Sequence, residues 1–112
     1  MKTLLLILLL VPMMSFGQNV NIPDANFKAY LVGEPLINTN GDTEIQISEA
    51  SAFTGTINCY NQSISDLTGI ETFTALTEFS CEGNQLTSLD VSGCTALTYL
   101  NCYNNQLTSL NI

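Results

Sequence analysis

Histidine, tryptophan and arginine are absent from this 112-residue chain, and Lys2 and Lys28 are its only cations. Without histidine there is no Ser-His-Asp or Cys-His nucleophile pair and no imidazole ligand for a catalytic zinc. Without a basic stripe nothing displaces the counterions of a phosphate backbone, so nucleic acid is excluded as a partner. An anionic membrane surface is excluded on the same ground. Charge is scarce overall, at 11%, and ten acidic residues give a net charge of −8. Yet 46% of the residues are hydrophobic, which is the composition of a folded chain and not of a disordered one. The length allows one small domain with little core to spare.

The N-terminus reads as an export signal. Lys2 supplies a positive start, Leu4 to Val11 is an unbroken apolar run, and Pro12 ends it. Ser15-Phe16-Gly17 then sets small residues around a cut before Gln18, the pattern of a secretory signal peptide over residues 1–17. The run is too short for a bilayer, which needs about 20 apolar residues. No cysteine stands at the cut to take a lipid, the first being Cys59. The expected product is an acidic protein, secreted or held at the cell surface, with no membrane span.

What the remainder has is a repeat. Ile57-Asn58-Cys59-Tyr60-Asn61-Gln62-Ser63-Ile64 aligns with Phe79-Ser80-Cys81-Glu82-Gly83-Asn84-Gln85-Leu86 and with Leu100-Asn101-Cys102-Tyr103-Asn104-Asn105-Gln106-Leu107. Cys59, Cys81 and Cys102 recur at intervals of 22 and 21 residues, and Leu86-Thr87-Ser88-Leu89 returns as Leu107-Thr108-Ser109-Leu110. This frame resembles the leucine-rich repeat, whose coils run about 20–29 residues. The stretch from Ile64-Ser65-Asp66-Leu67 to Leu76-Thr77-Glu78-Phe79 is similar to internalin-type repeats. Leu89-Asp90-Val91-Ser92-Gly93-Cys94-Thr95-Ala96-Leu97-Thr98 is similar to secreted leucine-rich-repeat proteins of flavobacteria-like bacteria. The resemblance covers Thr54 to Ile112. It implies a surface or secreted interaction protein without catalytic residues.

The fold expected is a repeat solenoid with a short parallel β-sheet on its concave face and a small helical N-terminal cap. Strands are expected around Ile57–Cys59, Phe79–Cys81 and Leu100–Cys102, with Leu76, Leu86, Leu89, Leu97, Leu100 and Leu107 buried between coils. Alternation along each strand turns the cysteines inward and leaves Thr56, Asn58, Tyr60, Glu78, Ser80, Glu82, Tyr99, Asn101 and Tyr103 outward. Asn84 and Asn105 stand where the chain leaves the strand, placed to satisfy backbone groups that the turn leaves unpaired. Gln62 holds that place in the first aligned coil.

Residues 18–52 have no repeat register and read as a cap over the first coil of residues 53–112. Asp24 caps a short helix, Phe27, Tyr30 and Leu31 form its apolar face, and Gly33 ends it. The twelve residues from Asn38 to Glu49 resemble an EF-hand loop. Oxygens come from Asn38, Asn40 and Asp42, from the Glu44 carbonyl at the seventh place and from Glu49 at the twelfth. Thr43 stands where the sharp turn wants glycine, and Asn38 where the pattern has aspartate. The two readings are a weak calcium site and a plain Asn/Asp/Gly turn leading into a strand.

Export permits disulfides, but in-register cysteines one coil apart suit the bridge torsion poorly, so Cys59, Cys81 and Cys102 are expected as free buried thiols. Cys94, on the convex turn, is expected to be the most exposed. Two functions follow. One is a non-catalytic module that binds a protein or glycan through Asn58, Tyr60, Glu78, Glu82, Tyr99, Asn101 and Tyr103. The other is the N-terminal part of a larger secreted protein, an enzyme with a catalytic domain downstream among the forms it could take. The last aligned strand is followed only by Gln106 to Ile112, so the chain is expected to be incomplete or to self-associate through its uncapped C-terminal coil.

Overall fold

The structure, a computed structural model, describes residues 18–112. The leader reading of residues 1–17 lies outside them. A helix α1 (Ala25–Val32) and a short helix α2 (Ile47–Ala52) come first, followed by five three-residue strands and one 3-10 turn (Ile70–Thr72). Strands β1 (Thr56–Asn58), β2 (Glu78–Ser80) and β4 (Tyr99–Asn101) form a parallel sheet in the order β1-β2-β4. Ile57, Phe79 and Leu100 share one register row. A second parallel pair joins β3 (Ser88–Asp90) to β5 (Ser109–Asn111) on the other flank of the coils. This is a leucine-rich-repeat solenoid with one strand of the main sheet per coil.

The strands end one residue before the cysteines, although the ladder of donors continues. The N–H groups of Cys59 and Cys81 still donate to Ser80 and Asn101 carbonyls at 3.0 and 2.9 Å. Their own carbonyls, however, accept from asparagine side chains and not from the next strand. Asn84 Nδ2 donates to Cys59 O at 3.0 Å and Cys81 O at 2.8 Å, and Asn105 Nδ2 donates to Cys81 O and Cys102 O at 3.0 and 3.1 Å. The asparagine takes over the backbone where the coil must turn. Asn84 Oδ1 also accepts from Gln62 and Ile64 N–H at 3.0 Å each, so the coil that carries Gln62 is served by its neighbour's asparagine. At the same turn Asn61 and Asn104 adopt φ of 54° and 55° and Gly83 a φ of 72°, the left-handed conformation that asparagine and glycine tolerate. A β-carbon at Gly83 would also strike Asn61 Oδ1.

The core is one cluster running from the cap into the coils. Phe27, Leu31, Ile37 and Ile45 of the cap pack with Ile57, Cys59, Ile64, Phe73, Leu76, Phe79, Cys81, Leu86 and Leu89. Leu97, Leu100, Cys102 and Leu107, expected to be buried, are only half-buried, because no described element packs on their outer side. Cys94 corrects the sequence reading. It is buried at 4% exposure, with its Sγ donating to Ile70 O at 3.4 Å. Both Cys94 and Phe73 lie three residues before a coil leucine, Leu97 and Leu76, so Cys94 fills the place that Phe73 fills one coil earlier.

The cap is a helix–loop–helix pressed on the first coil. Asp24 caps α1 by accepting from Asn26 and Phe27 N–H at 3.0 Å each. The chain before it pairs back on the loop, with Val20 N–H donating to Ile45 O at 2.8 Å and Ile47 N–H to Gln18 O at 2.9 Å. The loop leads into a helix and not, as the plain-turn reading had it, into a strand.

Candidate functional site

The outward residues of the main sheet form rows across the coils. Register places Thr56 beside Glu78 and Tyr99, and Asn58 beside Ser80 and Asn101. Past the strand ends, Asn61 N–H donates to Glu82 O and Gly83 N–H to Tyr103 O, at 3.0 and 2.9 Å. That continues the register into a third row, Tyr60–Glu82–Tyr103. A concave depression of about 490 Å³ lies over these rows, lined by Asn58, Tyr60, Glu78, Glu82, Tyr99 and Asn101 among others. Tyr103, the seventh residue expected here, stands one row-step beyond Glu82 and is exposed.

Hydrogen bonds fix the polar members of this face. Asn101 Nδ2 donates to Glu82 Oε2 at 2.9 Å while its Oδ1 accepts the Tyr103 N–H at 3.1 Å. Thr56 Oγ1 reaches Glu78 Oε1 at 3.4 Å. The sequence reading did not assign Thr56, Asn61, Phe79 or Ser80 to the site, yet all four line it. Ser80 was legible from its row, between Asn58 and Asn101. Asn61 was not, because its place depends on a left-handed turn that residue type alone does not announce.

The sheet edge next to the cap is covered. Tyr30 hydroxyl accepts the Asn58 N–H at 3.1 Å, and burial of the ring pushes the phenol above its ordinary value, with Glu34 adding to it. The cap is clasped to the first coil by Asp24 Oδ2, which accepts from Ser65 N–H, Ser65 Oγ and Asp66 N–H at 2.9, 3.3 and 3.1 Å. Burial works to raise the Asp24 carboxyl, but the N–H groups of Phe27, Ser65, Asp66 and Asn26 together hold it below the usual aspartate value.

In the cap loop the structure gathers Asn40, Asp42 and Glu49. Asn40 Nδ2 donates to Asp42 Oδ2 at 3.3 Å, and Glu49 Oε2 accepts from Asn40 N–H at 3.2 Å and Thr39 Oγ1 at 3.1 Å. Glu49 Oε1 accepts the Gln46 N–H at 2.9 Å, at the start of α2. The Glu44 side chain pairs with Lys28 at 2.8 Å. Asn38 is buried, and its Nδ2 donates to Val32 O and Asp42 O at 3.0 and 2.8 Å while its Oδ1 is unpartnered. An EF-hand loop with aspartate first would accept there. Here the amide donates to the carbonyl before Thr43, so the two departures from the pattern fit each other. Among the described residues no three His, Cys, Asp or Glu side chains group as metal ligands.

All four thiols are free. Burial pushes Cys59 and Cys81 up to about 12, with the neighbouring cysteines adding to the effect on Cys81. Cys94 is raised by burial and then by the Glu71 and Asp90 carboxylates. In all three the thiolate, the nucleophilic form, is disfavoured.

Residues 74–112 match the family model of leucine-rich repeats in two copies. Over 71 residues, 62% of the chain, it is 39% identical to Internalin J of Listeria monocytogenes, of whose length it spans 7%. The solved functional domain of InlJ from Listeria monocytogenes, which includes a cysteine ladder, is similar to it with a TM-score of 0.66 and 39% identity. That match covers 81% of this chain and 20% of that one. An internalin from the same organism, InlF, shares the fold with a TM-score of 0.62 at 20% identity, over 83% of this chain and 31% of that chain. The fold is thus that of a leucine-rich-repeat solenoid, and the chain is similar to the repeat arrays of these internalins. Among the described residues no helix is long and apolar enough to cross a membrane.

Proposed function

We propose that this chain is a secreted or surface-held, non-catalytic recognition module that binds a protein through its concave sheet. The observation that carries the reading is the convergence of Asn58, Tyr60, Glu78, Glu82, Tyr99 and Asn101 on one depression. Rigid tyrosines offer contact area at low entropic cost, and the asparagines and glutamates supply selectivity. The resemblance to internalin repeats and the leader pattern of residues 1–17 support export, and mass spectrometry of the exported chain is expected to find Gln18 at its start.

Ser80 sits at the centre of the middle row, so Ser80→Trp fills the depression. Peptides selected from a displayed library on the wild-type protein are expected to lose binding to Ser80→Trp and keep it to Thr87→Trp, on another part of the coil. Peptides indifferent to Ser80→Trp would overturn the concave-face reading. Binding confined to a glycan array and lost in Ser80→Trp would overturn the choice of a protein ligand.

A weakly held calcium ion in the cap loop is the second proposal, with Asn38, Asn40, Asp42, the Glu44 carbonyl and Glu49 as donors. The unpartnered, buried Oδ1 of Asn38 favours it. Glu49 must release the Thr39 and Asn40 donors to bind the ion, and Asp42 is the only other carboxylate, so affinity falls in about the millimolar range. Calorimetry is expected to show heat and a raised Tm at millimolar calcium, both lost in Glu49→Gln. Absence of heat leaves the loop a structural turn.

A further inference from the structure

We infer that the concave face selects a basic, extended peptide segment carrying two cationic side chains on one side, four residues apart. The inference rests on the concave-face reading and gives its ligand a chemistry. The central coil offers two carboxylates, Glu78 at the start of β2 and Glu82 two residues past its end, and both line the depression. Four residues separate them, at most about 13 Å at the rise of an extended chain, with Glu82 in the turn that follows β2. Each has tyrosine beside it in its own row. Glu82 lies between Tyr60 and Tyr103, and Glu78 is next to Tyr99.

These three tyrosines are exposed at 53%, 70% and 54%, and the fourth tyrosine of the chain, Tyr30, is half-buried under the cap. Every exposed tyrosine therefore stands on this face. The backbones bearing Tyr60 and Tyr103 are two strand spacings apart, about 10 Å, which leaves width for a guanidinium or ammonium group between two rings and over a carboxylate.

Charge points the same way. No basic residue lines the depression. The single described cation, Lys28, is on the cap and paired with Glu44. The carboxylates thus face the groove with no cation of their own. Asn101 restrains one oxygen of Glu82 and leaves the other open to a ligand. An extended peptide puts residues i and i+4 on one face at a spacing of up to about 13 Å, so two of its cationic side chains reach both rows at once.

The test uses the blocked peptide Arg-Ser-Gly-Ser-Arg, its analogue with both arginines replaced by uncharged citrulline, and Glu-Ser-Gly-Ser-Glu, titrated into the labelled protein by NMR. The arginine peptide is expected to shift the amides of Tyr60, Glu78, Glu82 and Tyr103, and to bind about tenfold or more tighter than the citrulline peptide. Glu82→Gln and Glu78→Gln are each expected to weaken it, and Glu34→Gln, on the cap, to leave it unchanged. Citrulline binding as tight, with the same map, would leave the recognition face standing and overturn its preference for cations. Equal weakening by Glu34→Gln would reduce the effect to net charge and overturn the inference too. No shift with any of the three, alongside library peptides that Ser80→Trp abolishes, would overturn this ligand class alone. A Ser80→Trp protein that keeps every ligand overturns the underlying reading.

Discussion

At the scale of single residues, the asparagine at each turn does more than its side chain's size suggests. Asn84 Nδ2 donates to carbonyls of two coils and its Oδ1 accepts two N–H groups of the first, three of these four bonds being buried and the one from Gln62 part-buried. Removing the amide strands several buried backbone groups at once, at about 1–3 kcal/mol for each that water cannot reach. Asn84→Ala is therefore expected to lower stability in urea unfolding by about 3 kcal/mol or more, and Asn105→Ala, whose groups are less buried, by less. The cysteines separate in the same way. Cys59, Cys81 and Cys94 are buried, and burial holds each thiol protonated, while Cys102 is half-buried. At pH 8 a thiol-specific disulfide reagent is expected to titrate one group rapidly in the folded protein and four in urea. Rapid reaction of Cys94, read by peptide mapping, would contradict its packing beneath Ile70.

At the scale of elements, the main sheet was legible because a cysteine between two apolar residues returns every 21 or 22 residues, with Asn84 and Asn105 following it in the second and third coils. Their register follows directly, as Ile57, Phe79 and Leu100 confirm. The β3–β5 pair was hidden. Ser88-Leu89-Asp90 and Ser109-Leu110-Asn111 each carry a single apolar residue, too short a run to show alternation. The concave face could be read from alternation alone, whereas the Tyr30 hydroxyl on Asn58 N–H and the Asp24 clasp depend on how the cap docks, which no periodicity encodes. Asp24 also sets a pH dependence. Its carboxyl is held below its unfolded value, so its contribution is complete above the ordinary aspartate value near 4 and is lost as pH falls through the lower folded value. Asp24→Asn is expected to flatten that acid limb. Asp24→Ala is expected to cost about 1 kcal/mol at neutral pH, with faster hydrogen exchange at Ser65 and Asp66.

At the scale of the molecule, the two sides of the coil stack are unequal. On the cap side Tyr30 meets the strand edge and Phe27 and Leu31 fill the core. On the far side β4 and β5 present unpaired edges among the described residues, Leu110 and Ile112 are exposed at 48% and 79%, and Ile112 lines a groove with half-buried Leu97 and Leu100. A parallel edge with open N–H and C=O groups next to apolar side chains is a template for another strand. Net charge opposes like chains meeting there, and that opposition weakens with salt, because the screening length falls from about 10 Å at 0.1 M to about 3 Å at 1 M. The apolar contact does not weaken with salt. Light scattering of this chain is therefore expected to show mass above the monomer that grows with concentration and with sodium chloride. Leu110→Lys, which charges the apolar rim without touching the concave rows, is expected to restore the monomer while keeping the folded circular-dichroism signal. A monomer at every concentration and salt level would show that the open coil is not an association surface.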